Sequence, residues 1–329
     1  MSDTTPNSSL LGASSIWDSW NRETPLGEVI AAQLRAWPDH EKFLRKSFAL
    51  REGRLVESSY RTAELVLQMI GSKLQEHAES YQWMCEAVNQ EVKHFFTTGQ
   101  YRHKSFLEVH DGIYGNPAYM TRYMQGLLLS LIHWTNHASV VDTYANDFLA
   151  GLPDHSRCLE IGPGHGLFCA LAAGHPRVAS VDAWDLSPSS LEMTKGNLTK
   201  LGFEDRVHLH IRDVTEELGD REGRPFDGIV ISEVLEHLED PAAVLRGVRR
   251  HLAPEGKVFI NVPVNSPAPD HIFLLNNPEQ ARRLVLDSGL EIESFKDFPA
   301  TGHSLEGARK ARLTISCVIV ALPGTRDEK

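Results

Sequence analysis

Residues 158–166 read CLEIGPGHG, an apolar run that carries a single acid, Glu160, and ends in a loop with Gly162, Gly164 and Gly166. Glycines let a backbone approach a ligand closely, and a helix starting near Gly166 offers free N–H groups. A loop of this kind often receives phosphate, and a dinucleotide site adds an acid about twenty residues further on. Asp185 meets that spacing. Two features point elsewhere. The dinucleotide fingerprint places its third glycine three residues after the second, whereas here Gly166 follows Gly164 by two. Glu160 also precedes the loop, where a phosphate gains nothing from negative charge and a cationic ligand does. A third acid, Asp213, follows in VHLHIRDV. Acids at three successive strand ends suit a ligand with a positive centre, a ribose diol and an adenine amino group.

The elements that would position these residues change character along the chain. Residues 1–15 are rich in Ser, Thr and Asn and are expected to be a disordered tail. From there to residue 152 the pattern is helical. The clearest stretch is 117–149, where Tyr119, Tyr123, Leu127 and Leu131 fall four apart, with Met120, Met124 and Leu128 beside them. Pro117 suits a first helical turn after Tyr114-Gly115-Asn116. From 153 to 329, short apolar runs (RCLEI, VASVDAWDL, VHLHI, DGIVIS, KVFINV, RLTISCVIVAL) appear, the early ones alternating with helical segments. That alternation indicates βαβ units and a mostly parallel, doubly wound α/β sheet. The loop 296–311 before the last run is compatible with an antiparallel closing pair. The boundary falls near 150–155.

LEIGPGHG, DLSPSSLEMT, RDV and FDGIVISEVLEHLEDP together resemble the successive motifs of class I S-adenosylmethionine-dependent methyltransferases. The resemblance covers roughly residues 150–322. It implies a seven-stranded, Rossmann-like sheet behind an all-helical N-terminal domain, with S-adenosylmethionine as cofactor and S-adenosylhomocysteine as product. It also implies roles: Glu160, Gly162 and Gly164 beside the methionine part, Asp185 on the ribose hydroxyls with Leu186 against the adenine, and Asp213 on the adenine amino group with Val214 beside the ring. Ser232 and Glu233 would face the sulfonium and the acceptor. Read locally, Asp185 and Asp213 are equally turn or cap acids. A nicotinamide-dependent oxidoreductase, or a protein of this fold using the cofactor without methylating, are the competing readings.

Methyl transfer needs an acceptor aligned with the sulfonium, and a base only where a proton must leave. Glu236 and His237 are the titratable pair nearest the fourth strand, with His237 read chiefly as a positioning residue, and His271 follows the fifth. Asp270, His271 and His303 form a conceivable metal set, but the preferred reading has His271 fixing the loop before a helix at 278–288, with no metal. His133 and His137 lie four apart, on one face of an unbroken helix, and are read as satisfied core or pocket histidines rather than zinc ligands. His165 is open between a cofactor-carboxylate contact and solvent exposure, and Glu192 and Glu239 are read as solvated charges. Tyr119, Tyr123, Trp134 and His137 are the expected substrate wall, supplied by a helical domain that covers the site and offers a homodimer surface.

The 329 residues carry a formal charge of −11, with 41% hydrophobic and 23% charged residues and no block of Lys/Arg. That balance speaks against nucleic acid or anionic membranes as partners and favours a small-molecule acceptor, in secondary metabolism. The four widely spaced cysteines, Cys85, Cys158, Cys169 and Cys317, read as reduced thiols of a cytoplasmic protein. The start of the chain lacks the pattern of a signal peptide.

Overall fold

A computed structural model describes residues 23–217 and 224–324, so the expected tail over 1–15 lies outside the described residues. The helical part comprises α1 (Pro25–Ala36), α2 (Glu41–Ala49), α3 (Arg54–Ile70), α4 (Leu74–Thr98), α5 (Pro117–His133) and α6 (Thr135–Thr143). α1 and α5 begin where a capping side chain precedes a proline. Thr24 Oγ1 accepts the Gly27 N–H (3.1 Å) ahead of Pro25, and Asn116 Oδ1 accepts the Tyr119 N–H (3.1 Å) ahead of Pro117.

The single helix expected over 117–149 is broken. Trp134 leaves helical geometry (φ −94°, ψ 128°), and the turn Tyr144–Phe148 is wider than an α-helical one. Partners from outside the helix hold its backbone at the break. Arg51 donates to the Ile132 carbonyl (2.6 Å), Ser47 Oγ donates to that of His133 (2.6 Å), and the Thr135 N–H reaches Thr301 Oγ1 (2.9 Å). Once these groups are satisfied elsewhere, continuing the helix gains nothing. His133 and His137 therefore sit on two helices rather than on one face.

The sheet runs β3-β2-β1-β4-β5-β7-β6, with β1 Ser156–Ile161, β2 Val178–Asp185, β3 Val207–Ile211, β4 Phe226–Ser232, β5 Leu252–Val264, β6 Leu290–Pro299 and β7 Ile315–Pro323. All strands are parallel except β7, which is antiparallel to both β5 and β6. The helices between them are α7 (Leu167–Gly174), α8 (Pro188–Leu201), α9 (Pro241–His251), α10 (Pro278–Asp287) and α11 (Leu305–Ala311). The stretch expected as a loop over 296–311 thus holds the end of β6 and all of α11. Arg312 closes α11 in the left-handed region (φ 51°), which delays the last strand to Ile315.

Alternate strand residues feed two apolar layers, as the pleat requires. Leu159, Ile229, Ile231, Ile260 and Ile319 pack with α9 and α10. Cys158, Val230, Phe259 and Val318 pack on the other face with α7 and with the helical part, in one continuous cluster. Tyr144 lies 4.6 Å from Phe168 and 5.2 Å from Phe259 between ring centroids, joining the last helical turns to the sheet. The strand order reverses between β1 and β4, and the crevice beyond their C-terminal ends is where such sheets bind ligands.

Candidate active site

On one side of the crevice stand the ends of β1, β2 and β3. Gly162, Gly164 and Gly166 all have positive φ (72°, 55° and 82°), a conformation that side chains resist. Space is tight for side chains as well. A Cβ on Gly162 would lie 2.6 Å from Val234 Cγ2, and one on Gly164 would lie 3.1 Å from the Met124 Sδ of α5. Glu160 is buried, and its Oε2 has no hydrogen-bond partner. Burial pushes its pKa up to about 7, against a bond from the Cys169 thiol that lowers it. Asp185 is likewise raised by burial, to about 6, although its Oδ1 accepts the Ser187 N–H (2.8 Å). Leu186 is 44% exposed. Asp213 is occupied locally, its Oδ1 receiving both the N–H (2.8 Å) and the hydroxyl (2.6 Å) of Thr215. Val214 packs against the α9-side layer.

On the other side stand the ends of β4 and β5. Glu233 takes a left-handed φ of 54°, an uncommon conformation for a residue with a side chain. Asn261 of β5 holds this corner, its Nδ2 donating to Ser232 Oγ (3.1 Å) and Glu233 Oε1 (2.9 Å). Burial raises the Glu233 pKa to about 7. Burial, with Glu233 beside it, raises Glu236 well above the carboxylate range. The Glu236 carbonyl accepts the N–H groups of both Ile272 and Phe273 (2.9 Å each), which draws the loop carrying His271 onto the turn Leu235–His237. His237 and His271 meet edge to face at 4.9 Å, and burial lowers His271 to a pKa of about 4. Asp270, 2% exposed, is gripped from the helical part: Tyr114 donates to its Oδ2 and Tyr123 to its Oδ1 (3.2 Å each).

The residues expected from sequence separate into two groups. Glu236, His237, His271 and Tyr123 come together. Tyr119 stands half-buried behind Tyr123 (5.9 Å) against Trp83 (4.9 Å). The contacts of Trp134 and His137 run into the helical core instead. Trp134 Nε1 donates to Tyr81 Oη (2.8 Å), and His137 Nδ1 meets Ser130 Oγ (2.9 Å). His133 is fully buried with neither ring nitrogen bonded, so it packs as a neutral aromatic ring against Tyr81 (4.8 Å) rather than as a satisfied polar group. His165, half-buried, accepts the Leu167 N–H on Nδ1 (3.2 Å) at the start of α7. His303 is exposed on a turn, apart from His271. Glu239 is exposed as expected, yet it accepts the Phe106 N–H (3.0 Å) and ties the 99–116 segment over the crevice. Tyr101 and Asn261 were not anticipated. Asn261 had a signal, a lone amide inside the apolar run VFINVPV. Tyr101, whose hydroxyl accepts the Ser266 N–H (2.9 Å), had none.

Comparison with known proteins gives the family of the chain. Residues 133–303, just over half of the chain, match a family described as a methyltransferase domain. The ubiquinone biosynthesis O-methyltransferase of Xanthomonas oryzae pv. oryzae (strain PXO99A) is 29% identical over 165 residues, covering 50% of this chain and 64% of that protein. The protein of the same name from Xanthomonas axonopodis pv. citri (strain 306) is 32% identical over 167 residues, covering 50% of this chain and 66% of that one. The chain thus spans slightly less than two thirds of the length of these relatives. Among solved structures, that of the mitomycin 7-O-methyltransferase MmcR aligns at 16% identity with a TM-score of 0.48, over 77% of this chain and 72% of that one.

Proposed function

The chain belongs to the methyltransferase-domain family; from that premise we propose that it uses S-adenosylmethionine to methylate an oxygen of a small-molecule acceptor in a biosynthetic reaction. The observation that carries the reading is the buried carboxylate–histidine cluster at the ends of β4 and β5, roofed by Tyr114 and Tyr123 of the helical part. The names of the relatives support oxygen as the receiving atom.

The β1–β3 side fits the cofactor. Glu160 Oε2 is a buried carboxylate oxygen without a donor, suited to the positive methionine end, and side chains on Gly162 or Gly164 would collide with Val234 or Met124. Asp185 would hold the ribose hydroxyls, and the carboxylate oxygen of Asp213 not engaged by Thr215 would hold the adenine amino group. Leu186 and Val214 would flank the ring. The bound cofactor supplies an electrophilic methyl on a sulfonium. The residues of this chain align the acceptor with it and exclude water, with the Glu236/His237/His271 cluster beside the acceptor atom, while Ser232 and Glu233 face the transfer path.

A direct test incubates the chain with methyl-labelled S-adenosylmethionine and a cell extract separated by size. Label in an O-methylated compound of the small-molecule fraction, with equal release of S-adenosylhomocysteine, is the expected result. Label confined to protein or nucleic acid overturns the proposed acceptor class.

A further inference from the structure

We propose that Glu236, His237 and His271 form a binding site for one divalent transition-metal ion. One oxygen of Glu236 and one nitrogen of each histidine lie within 4.8 Å of one another. The Nε2 atoms of His237 and His271 are each 3.9 Å from the same Glu236 oxygen, Oε1.

The hydrogen bonds around the rings fix where their protons are. His237 Nδ1 faces the Asp270 carbonyl (3.0 Å) and His271 Nδ1 faces the Ser266 carbonyl (2.6 Å). A carbonyl only accepts, so each Nδ1 carries a proton, and in the neutral ring each Nε2 then turns a lone pair toward Glu236. Metal-binding histidines are oriented in this way, by a carbonyl behind the ring. Glu236 is 0% exposed, and neither of its carboxylate oxygens has a hydrogen-bond partner. Acceptors with no donor are thus turned toward one point, an arrangement that costs free energy unless a cation occupies it. A single proton on Glu236 can serve only one of these acceptors, so at least one imidazole lone pair still faces the cluster without a donor. The backbone is set in advance, because the Glu236 carbonyl holds the loop that brings in His271.

Two imidazole nitrogens and one carboxylate select Mn²⁺ to Zn²⁺ over Mg²⁺ or Ca²⁺, which prefer oxygen ligands. Three protein ligands leave coordination positions for an acceptor oxygen. The inference therefore deepens the methyl-transfer reading, although metal binding is measured without any acceptor.

The test strips the untagged full chain with a chelator, removes the chelator and titrates Co²⁺ while recording visible absorption. The expected result is one Co²⁺ per chain with ligand-field bands, weakened about a hundredfold in His271→Ala and in Glu236→Gln. Circular dichroism and S-adenosylhomocysteine affinity, both unchanged, report that the variants fold. A wild-type chain without cobalt bands overturns the proposal, as does equal affinity in folded variants. Cobalt binding without S-adenosylhomocysteine binding would keep the metal site and remove the methyl-transfer reading. The reverse pattern would do the opposite.

Discussion

The two banks of the crevice are built differently. On the β1–β3 bank two of the three acids accept bonds from residues two positions on, Asp185 from Ser187 and Asp213 from Thr215. On the β4–β5 bank, Asp270 is held by tyrosines 156 and 147 residues away, and Glu236 reaches the loop of His271 through its backbone. The first bank is a repeated local device, a strand followed by an acidic turn, suited to a ligand that is constant across many enzymes. The second is assembled from remote segments, so its shape can follow the acceptor without disturbing the cofactor.

That contrast can be broken most directly at Asp185. Asp185→Ala should weaken S-adenosylhomocysteine binding about a hundredfold, since charge-assisted bonds to the ribose contribute roughly 1.5–3 kcal/mol each. Calorimetric titration reads the change, and unaltered affinity would mean the ligand does not lie along this bank.

A subtler effect is expected at Glu160, where binding and stability pull in opposite directions. Its folded pKa, about 7, lies above the ordinary 4.5, so the folded chain holds the proton more tightly than the unfolded one. The resulting stabilisation is complete below the unfolded value and is lost as pH rises through about 7. Glu160→Gln should therefore stabilise the ligand-free chain above neutral pH, by on the order of 2–3 kcal/mol, and change little near pH 4. The same substitution should weaken S-adenosylmethionine binding about tenfold. Denaturant curves with no gain at alkaline pH would show that the carboxylate is well solvated.

The smallest effect sharpens the picture of the second bank. Tyr123→Phe removes one of the two hydroxyls on Asp270 and should cost about 1–2 kcal/mol in urea unfolding, with S-adenosylhomocysteine affinity within twofold of the parent. A loss of cofactor binding of equal size would mean that the two banks are coupled, contrary to the division drawn above.

The same division explains what the sequence disclosed. The glycine loop, the three acids, the cap–proline helix starts and the strands β1 to β5 are local patterns, set by neighbours a few residues apart. The break at Trp134 was hidden because Ser47, Arg51 and Thr301 impose it from elsewhere. β6, LEIESFKDFP, lies at the edge of the sheet and is largely half-exposed, so it lacked the apolar run that marked its neighbours. His303 paired with His271 on paper because both follow the later strands. In space Glu236 takes that place, through bonds that the Ile272 and Phe273 N–H groups donate to its carbonyl and that no spacing rule anticipates.

The layer shared by Tyr144, Phe168 and Phe259 has a consequence for how the molecule comes apart. Because the helical part and one face of the sheet bury a common set of side chains, separating them would expose part of the apolar interior of each. A cut between Gly151 and Ser156 would yield two sticky fragments rather than two modules. Heat should dissolve both in a single cooperative event, and exchanging the helical part between homologues would require exchanging the facing side chains of the sheet with it.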